Sequence, residues 1–289
     1  MLPQLLVTGL AIGSIYALIG LSLVLINKAT DVVNFAQGEL AMFSTFLSFT
    51  LLTKLGLPLL FVFVLSFPIG AILGALVELI FIQPIANDSP VNLLIVTIGL
   101  WITFNNLAGW IWGYDPYSFP SLFSDRPFEF AGVHISVNSI GIIGVALLLM
   151  GALYLFFEHT REGIAMRAAS MNRRAARLMG IRVSRVWLTS WALAGGISGI
   201  AGVLVAPVTF LDINMMVAIL LKAFAGAILG GFNSLPGAVA GGVAIGIMET
   251  MFGAFVSTTF KDNFAFVIII LVLMIRPTGL FGRTQLKKV

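Results

Sequence analysis

Four ionisable side chains stand inside otherwise apolar stretches of this sequence: Glu39, Glu78, Lys222 and Glu249. A charge at the centre of a lipid-embedded helix costs roughly 2.5–3.5 kcal/mol on insertion scales, so such residues face a bundle interior or a wet cavity. Their signs suggest one chemistry, in which Glu39 or Glu249 pairs with Lys222 at a gate or along a path for a polar solute. Glu78 lies near the end of its stretch, and we expect it to snorkel to the interface. Asn105 and Asn106 either line the same path or act as hydrogen-bonding glue between helices. Asn34, Gln37 and Asn214, at the polar entries to two further stretches, are grouped with them as candidate path residues.

Covalent chemistry has little to work with. No cysteine is present, which excludes disulfides, thiolate metal sites and thiol nucleophiles. The two histidines, His134 and His159, fall in or beside loops. Gly196-Ile197-Ser198-Gly199 would present a serine, but a serine nucleophile needs a base beside it, and no apolar stretch contains a histidine. Helix packing is the better role for Ser198. The dipeptide Gly-Lys never occurs, so this chain cannot build a P-loop around ATP. We expect no cofactor or metal in the chain itself.

The other chemically loaded region is basic. Between Glu158 and Arg185 stand seven arginines against two glutamates, in a chain with 16 Lys and Arg in all. Such a block orients a membrane protein, its positive side lying in the cytoplasm; nucleic acid is not required to explain it. Residues 162–180 avoid proline and favour Ala, Met and Arg, which predicts one helix. Arg173 and Arg177 are four apart and Arg167 and Arg174 seven apart, so each pair falls on a similar face. Ile164, Ala168, Met171, Ala175, Leu178 and Met179 add apolar surface, and Gly180 stops the helix. Two readings stay open: a helix resting on anionic lipid, or one inserted into a groove of a cytoplasmic protein.

The elements that must position these residues are membrane helices. The chain is 59% hydrophobic and 10% charged, against about a quarter charged in a soluble domain. The expected fold is an all-α polytopic bundle of eight or nine transmembrane segments, forming one domain over residues 1–289. The apolar stretches are 5–27, 32–53, 57–83, 91–112, 137–157, 186–206, 215–232, 237–256 and 263–276. The first is expected to be a retained helix and not a cleaved signal. The second begins with Asn34, Gln37, Gly38 and Glu39, which predicts a broken or re-entrant start. The last holds only a short apolar run, Phe264 to Ile275.

The basic block and the tail with Arg276, Arg283, Lys287 and Lys288 both belong in the cytoplasm, which an odd count of nine allows. The N-terminus and the 113–136 loop, with Asp115, Asp125 and Glu129 against Arg126, then lie outside. Trp110, Trp112, Tyr114, Tyr117 and Phe119 flank that loop as an aromatic belt, with a docking surface for an extracytoplasmic partner as the alternative. Small residues four apart recur at Gly9/Gly13, Gly70/Gly74, Gly195/Gly199, Ser198/Gly202, Gly226/Gly230, Gly237/Gly241 and Gly242/Gly246, and predict close helix crossings. Asp31-Val-Val-Asn34 before a helix with Glu39 parallels Asp212-Ile-Asn214 before a helix with Lys222, which suggests an inverted repeat. The pentapeptide Gly-Ala-Ile-Leu-Gly at 70–74 and 226–230 conflicts with it, because those two stretches would run parallel.

Five blocks carry a resemblance across essentially the whole chain. Arg174-Ala175-Ala176-Arg177-Leu178-Met179-Gly180 has the Ala-Ala-x3-Gly core of the cytoplasmic loop of ABC importer permeases, with Arg174 where an acid is usual. Gly163-Ile-Ala-Met-Arg167, Asn34-Phe-Ala-Gln-Gly-Glu39, Ser234-Leu-Pro-Gly237 and Arg276-Pro-Thr-Gly-Leu-Phe-Gly282 resemble the branched-chain amino-acid ABC transporter permease family. The resemblance implies a non-catalytic subunit in the bacterial inner membrane. Its partners would be a homologous second permease, two ATPases that carry ATP and Mg, and an extracytoplasmic solute-binding protein. It makes 158–185 the segment coupled to the ATPases, through Arg161, Gly163, Arg167, Asn172, Arg174, Ala175, Ala176, Arg177 and Gly180. Leucine, isoleucine, valine, other neutral amino acids, urea or short amides are its solute classes. The rival from the residues alone is an ion-coupled secondary transporter using Glu39, Lys222 and Glu249.

Overall fold

The computed structural model describes residues 2–86, 89–123, 127–130, 133–276 and 279–281. Lipid offers no partner to a free peptide group, so apolar runs of this length close their hydrogen bonds as helices. In chain order these are α1 (Leu2–Thr30), α2 (Gln37–Lys54), α3 (Leu59–Val77), α4 (Pro90–Trp112), α5 (Val137–His159), α6 (Arg161–Met171), α7 (Arg173–Leu178), α8 (Val183–Thr209), α9 (Val217–Gly230), α10 (Leu235–Phe255) and α11 (Lys261–Ile275). A π-turn, Glu78–Ile82, and a 3-10 turn, Gln83–Ile85, extend α3. Six of the described helices are long and apolar enough to cross a membrane: α1, α3 with its extension, α4, α5, α8 and α10. Helix α9 is apolar but shorter, at 14 residues.

Among the described residues the loop after α4 holds an antiparallel hairpin of β1 (Pro127–Phe130) and β2 (Val133–Ser136), with Pro127 opposite Ser136. Strands of four residues are too short to show an alternation in the sequence. Asp125 and Arg126 of that loop, and Arg283, Lys287 and Lys288 of the tail, lie outside the described residues.

The chain forms two compact units, one from residues 25–122 and 145–217, the other from 1–24, 123–144 and 218–289. In the first, α3 crosses α8 glycine against backbone. A Cβ on Gly70 would stand 2.2 Å from the Gly195 carbonyl oxygen, one on Gly74 2.2 Å from that of Trp191, and one on Gly199 2.3 Å from that of Ser66. Helix α2 packs on the same helix, where Gly202 fits against Thr45 and Ala41. With lipid as apolar as the side chains, such close approach supplies the packing and interhelical contacts that hold the helices together.

Aromatic residues fill the end of this unit. Trp112 stacks on Phe46 at 5.0 Å and donates its indole N–H to Thr50 at 2.8 Å. Tyr117 pairs backbone to backbone with Leu211, and Phe119 is buried. Three of the five aromatics expected in an interfacial belt are therefore packed inward. Only Trp110 and Tyr114, 83% and 68% exposed, stand where a belt requires them.

In the second unit, α10 crosses α1. A Cβ on Gly246 would lie 2.2 Å from Gly13 Cα and one on Gly242 2.5 Å from the Ala17 nitrogen. Helices α9 and α10 meet through Gly226, Gly230, Gly237 and Gly241. Two of the blocks that carried the resemblance turn the chain here. Ser234 caps α10, accepting the Gly237 N–H at 3.1 Å. The N–H groups of Leu280 and Phe281 cap α9, donating to the carbonyls of Leu229 and Gly230 at 2.8 and 3.0 Å, which the helix itself leaves unpaired. Gly279 makes that return with a φ of +75°, and a Cβ there would lie 2.5 Å from the Gly231 nitrogen.

The parallel between α1 and α8 has a backbone counterpart. Among the described residues the two non-glycine positions with positive φ are Asp31, at 55°, and Phe210, at 68°. Each follows one of these two long helices. Each is followed by a side-chain turn, the Ala36 N–H on Asn34 Oδ1 at 3.0 Å and the Asn214 N–H on Asp212 Oδ1 at 2.6 Å.

Candidate functional site

The polar start of α2 is stitched into the first unit. Asn34 Nδ2 donates to Gln37 Oε1 at 2.8 Å. Gln37 Nε2 donates to Ser198 Oγ at 2.6 Å and to the Ala194 carbonyl at 3.1 Å. Asn34, Gln37 and Ser198 are fully buried, so the helix starts late, at Gln37, because two side chains replace its missing first turn. Ser198 serves as a hydrogen-bond partner between helices.

Two residues on, buried Glu39 accepts from Asn105 Nδ2 at 3.4 Å. The Asn105 amide also donates to the Ile213 carbonyl at 2.9 Å. Asn106 turns back on its own helix, donating to Ile102 at 2.7 Å, and Asn214 is exposed. The structure thus joins Glu39 to Asn105 and leaves Asn106 and Asn214 out of that cluster. The partner the structure gives Glu39 is a neutral amide, not Lys222.

Lys222 finds its acids in the second unit. Its ammonium lies 2.6 Å from Glu249 Oε1 and 2.6 Å from Asp262 Oδ1. Glu249 accepts the Tyr16 hydroxyl on its other oxygen at 2.8 Å, and the Tyr16 ring centroid stands 5.8 Å from the ammonium. Of the two pairings open in the sequence, the Glu249 one is made. One cation is thus held between two carboxylates, with the Glu249 side chain 7% exposed and that of Asp262 60% exposed. The hydrogen bond from Lys222 holds the Asp262 carboxyl below its ordinary range. Tyr16 and Asp262 were not singled out from the sequence. Tyr16 sits in an unbroken apolar run, and Asp262 stands in the first turn of α11, just ahead of the short apolar run.

Glu78 does not snorkel. It is fully buried, and neither carboxylate oxygen has a hydrogen-bond partner. The reason is its register: it follows Gly70 and Gly74 at four-residue spacing and so continues the face that α3 turns to α8. It borders a cleft of about 400 Å³ with Gln83, Trp187, Arg173, Arg174 and Arg177.

The basic block is two helices. Thr160 caps α6 by accepting the Gly163 N–H at 3.0 Å, and a Cβ on Gly163 would lie 2.3 Å from the Phe156 carbonyl oxygen. The single helix expected over 162–180 breaks at Asn172, whose backbone is extended and whose Oδ1 accepts the Ala175 N–H at 3.0 Å. Asparagine competes for backbone N–H groups, which makes it a poor interior residue and a good cap. The seven-residue spacing of Arg167 and Arg174 therefore crosses a break, and Arg167 pairs with Glu158 at 2.6 Å instead. Helix α7 ends as expected at Gly180, φ +83°. There the Gly180 and Ile181 N–H groups return to the Arg177 and Ala176 carbonyls, the hydrogen-bond pair of a Schellman cap.

Ala176 is buried, while Arg174, Ala175 and Arg177 are exposed beside Met171, Leu178 and Met179 at 88%, 88% and 83%. Arg161 borders a second cleft, of about 450 Å³, with Glu162, Arg182 and Arg185. Arg173, absent from the residues assigned to coupling, makes the block's ion pair to α1, at 2.7 Å from Asp31.

Comparison with known proteins places these features in a family. Residues 5–273 match the family described as the permease component of the branched-chain amino acid transport system. The chain is 32% identical to the high-affinity branched-chain amino acid transport system permease protein LivH of Salmonella typhimurium, over 97% of this chain and 96% of that one. It is 33% identical to the corresponding permease BraD of Pseudomonas aeruginosa, over 99% and 97%. The probable permease LivH of Methanocaldococcus jannaschii is 30% identical, over 93% and 89%. No solved structure matches the chain.

Proposed function

The chain belongs to the branched-chain amino acid transport permease family, and from that premise we propose that it is the membrane subunit of an ATP-binding-cassette importer for branched-chain or other neutral amino acids. Its partners are a second permease of the same kind, two cytoplasmic ATPases carrying ATP and Mg, and an extracytoplasmic binding protein that delivers the solute. The chain sits in the inner membrane with eight or nine spans, N-terminus outside and C-terminus cytoplasmic. An inverted repeat relates α1 to α8, supported by the matching positive-φ residues Asp31 and Phe210.

The observation that carries the reading is the face of α7. Leu178 and Met179 at the end of α7 and Met171 at the end of α6 are exposed, as are Arg174 and Arg177, so the segment offers both apolar and cationic surface. Buried aromatic or methionine anchors with arginine are what protein interfaces select. A cytoplasmic ATPase that closes on ATP would push α7, and the helices behind it would repack between discrete states. We assign buried Glu39 with Asn105, and separately Lys222 with Glu249, to solute passage; each set would exchange its present partners for polar groups of the solute.

The test is assembly. Arg174→Glu with Arg177→Glu should abolish co-purification of the ATPase subunits while membrane insertion is unchanged. Normal complex formation by that double variant would sink the assignment of α7. Uptake that collapses with an uncoupler while ATP persists would favour an ion-coupled carrier instead.

A further inference from the structure

Arg173 makes three contacts of three different kinds. Its guanidinium lies 2.7 Å from Asp31 Oδ2, donates to the Ala29 carbonyl at 3.3 Å and stands 5.2 Å over the centroid of the Trp187 ring. Ala29 lies in the last turn of α1 and Asp31 directly follows it, at the helix end where carbonyls are unpaired and a positive charge is favoured. Trp187 lies in the second turn of α8. A planar, always-charged fork can meet a carboxylate, a carbonyl and an aromatic face at once, and an ammonium cannot match that set.

The rest of the segment explains why such a contact matters. Helix α7 is six residues long and is bounded by the extended Asn172 and by Gly180 at φ +83°. Both ends are places where the backbone can turn. Arg167 spends its charge on Glu158 beside the same segment, and Arg174 and Arg177 are exposed. Pushed from outside, an untethered α7 would swing between its two caps and leave the membrane helices where they were. Asp31 is itself committed to this geometry: its φ of 55° is a conformation that short polar side chains tolerate and most others do not.

We propose that Arg173 is the joint that ties α7 to the ends of α1 and α8, so that displacement of α7 moves both helices. It is a positioning residue, touching neither solute nor nucleotide. This inference rests on the reading that α7 docks an ATPase, and it adds the link from that dock to the membrane.

The experiment uses the complete importer in proteoliposomes with its binding protein, and measures branched-chain amino acid imported per ATP hydrolysed. With Arg173→Ala, ATPase subunits stay bound and hydrolysis continues, while solute per ATP falls about five- to tenfold, the low end of a lost allosteric coupling. Arg173→Lys keeps the ion pair without the stacking and should fall between. Asp31→Asn keeps the left-handed backbone and removes only the charge, so it carries the test if Arg173→Ala does not accumulate. An unchanged solute-to-ATP ratio in either variant overturns the joint. Loss of the ATPase subunits from Arg173→Ala also overturns it, by making Arg173 part of the docking face. Absence of ATPase from the wild-type complex would instead defeat the importer reading itself.

Discussion

Lys222→Met is the sharpest perturbation available in the second unit. Removing one partner from a buried ion pair costs about 3–5 kcal/mol, because the other charge is stranded. Here the ammonium serves two acids, and their exposures divide the cost. The Asp262 side chain is 60% exposed and returns to water, so its pair contributes at most about 1 kcal/mol. The Glu249 side chain is 7% exposed and keeps only the Tyr16 hydroxyl. Most of the loss, about 3 kcal/mol, therefore falls on Glu249. It follows that Glu249→Gln added to Lys222→Met should recover about 2 kcal/mol, since the amide can still accept from Tyr16 and no charge remains buried. The measurement is unfolding in mixed micelles, titrated for wild type, both single variants and the double. Single-variant losses that add within about 0.5 kcal/mol in the double would refute the reasoning, because they would mean that Lys222 and Glu249 do not act as a pair.

Two further outcomes follow from the geometry. Gly70→Leu forces a side chain into a crossing where even a Cβ would stand 2.2 Å from the Gly195 carbonyl; it should destabilise the protein by about 1–3 kcal/mol or more. Gly144→Ala, where nothing lies within 4 Å of the added atom, should be indifferent in the same titration. Asp262 makes the tie between α9 and α11 sensitive to acid. Its carboxyl is held below the ordinary range by the hydrogen bond from Lys222, so its contribution is complete above the unfolded value of about 4 and is lost as pH falls through the lowered folded value. Asp262→Asn should flatten that part of a stability–pH profile, and a profile left unchanged would mean that the pair contributes nothing.

Where sequence and structure agree, a local rule sufficed. Helices occupy the apolar stretches because a peptide group in lipid has no other partner. The glycine pairs meet other backbones because nothing larger fits at a close crossing: Gly70 on Gly195, Gly246 on Gly13. Gly180 ends α7 because its left-handed backbone suits a residue without a Cβ. The departures are of another kind. Asn172 broke a run of good helix formers because one side-chain cap outweighs a weak summed propensity. Glu78 turned inward because its register, not its distance from a span end, set its direction. Trp112 and Tyr117 joined the packing around α2, where composition alone placed them at the headgroups.

By itself, then, the sequence determined that this is a helical membrane permease, which residues in its spans are costly, and where its arginines concentrate. Those properties follow from solvent, charge and spacing along one chain. Only the tertiary structure decided who pairs with whom: Lys222 with Glu249 and Asp262, Glu39 with Asn105, Arg173 with Asp31. A buried charge states that it needs a partner, but the partner is chosen by which helices cross and at what height. Glycine contacts such as Gly246 on Gly13 and Gly226 on Gly242, within about a turn of Glu249, Tyr16 and Lys222, help to set that height.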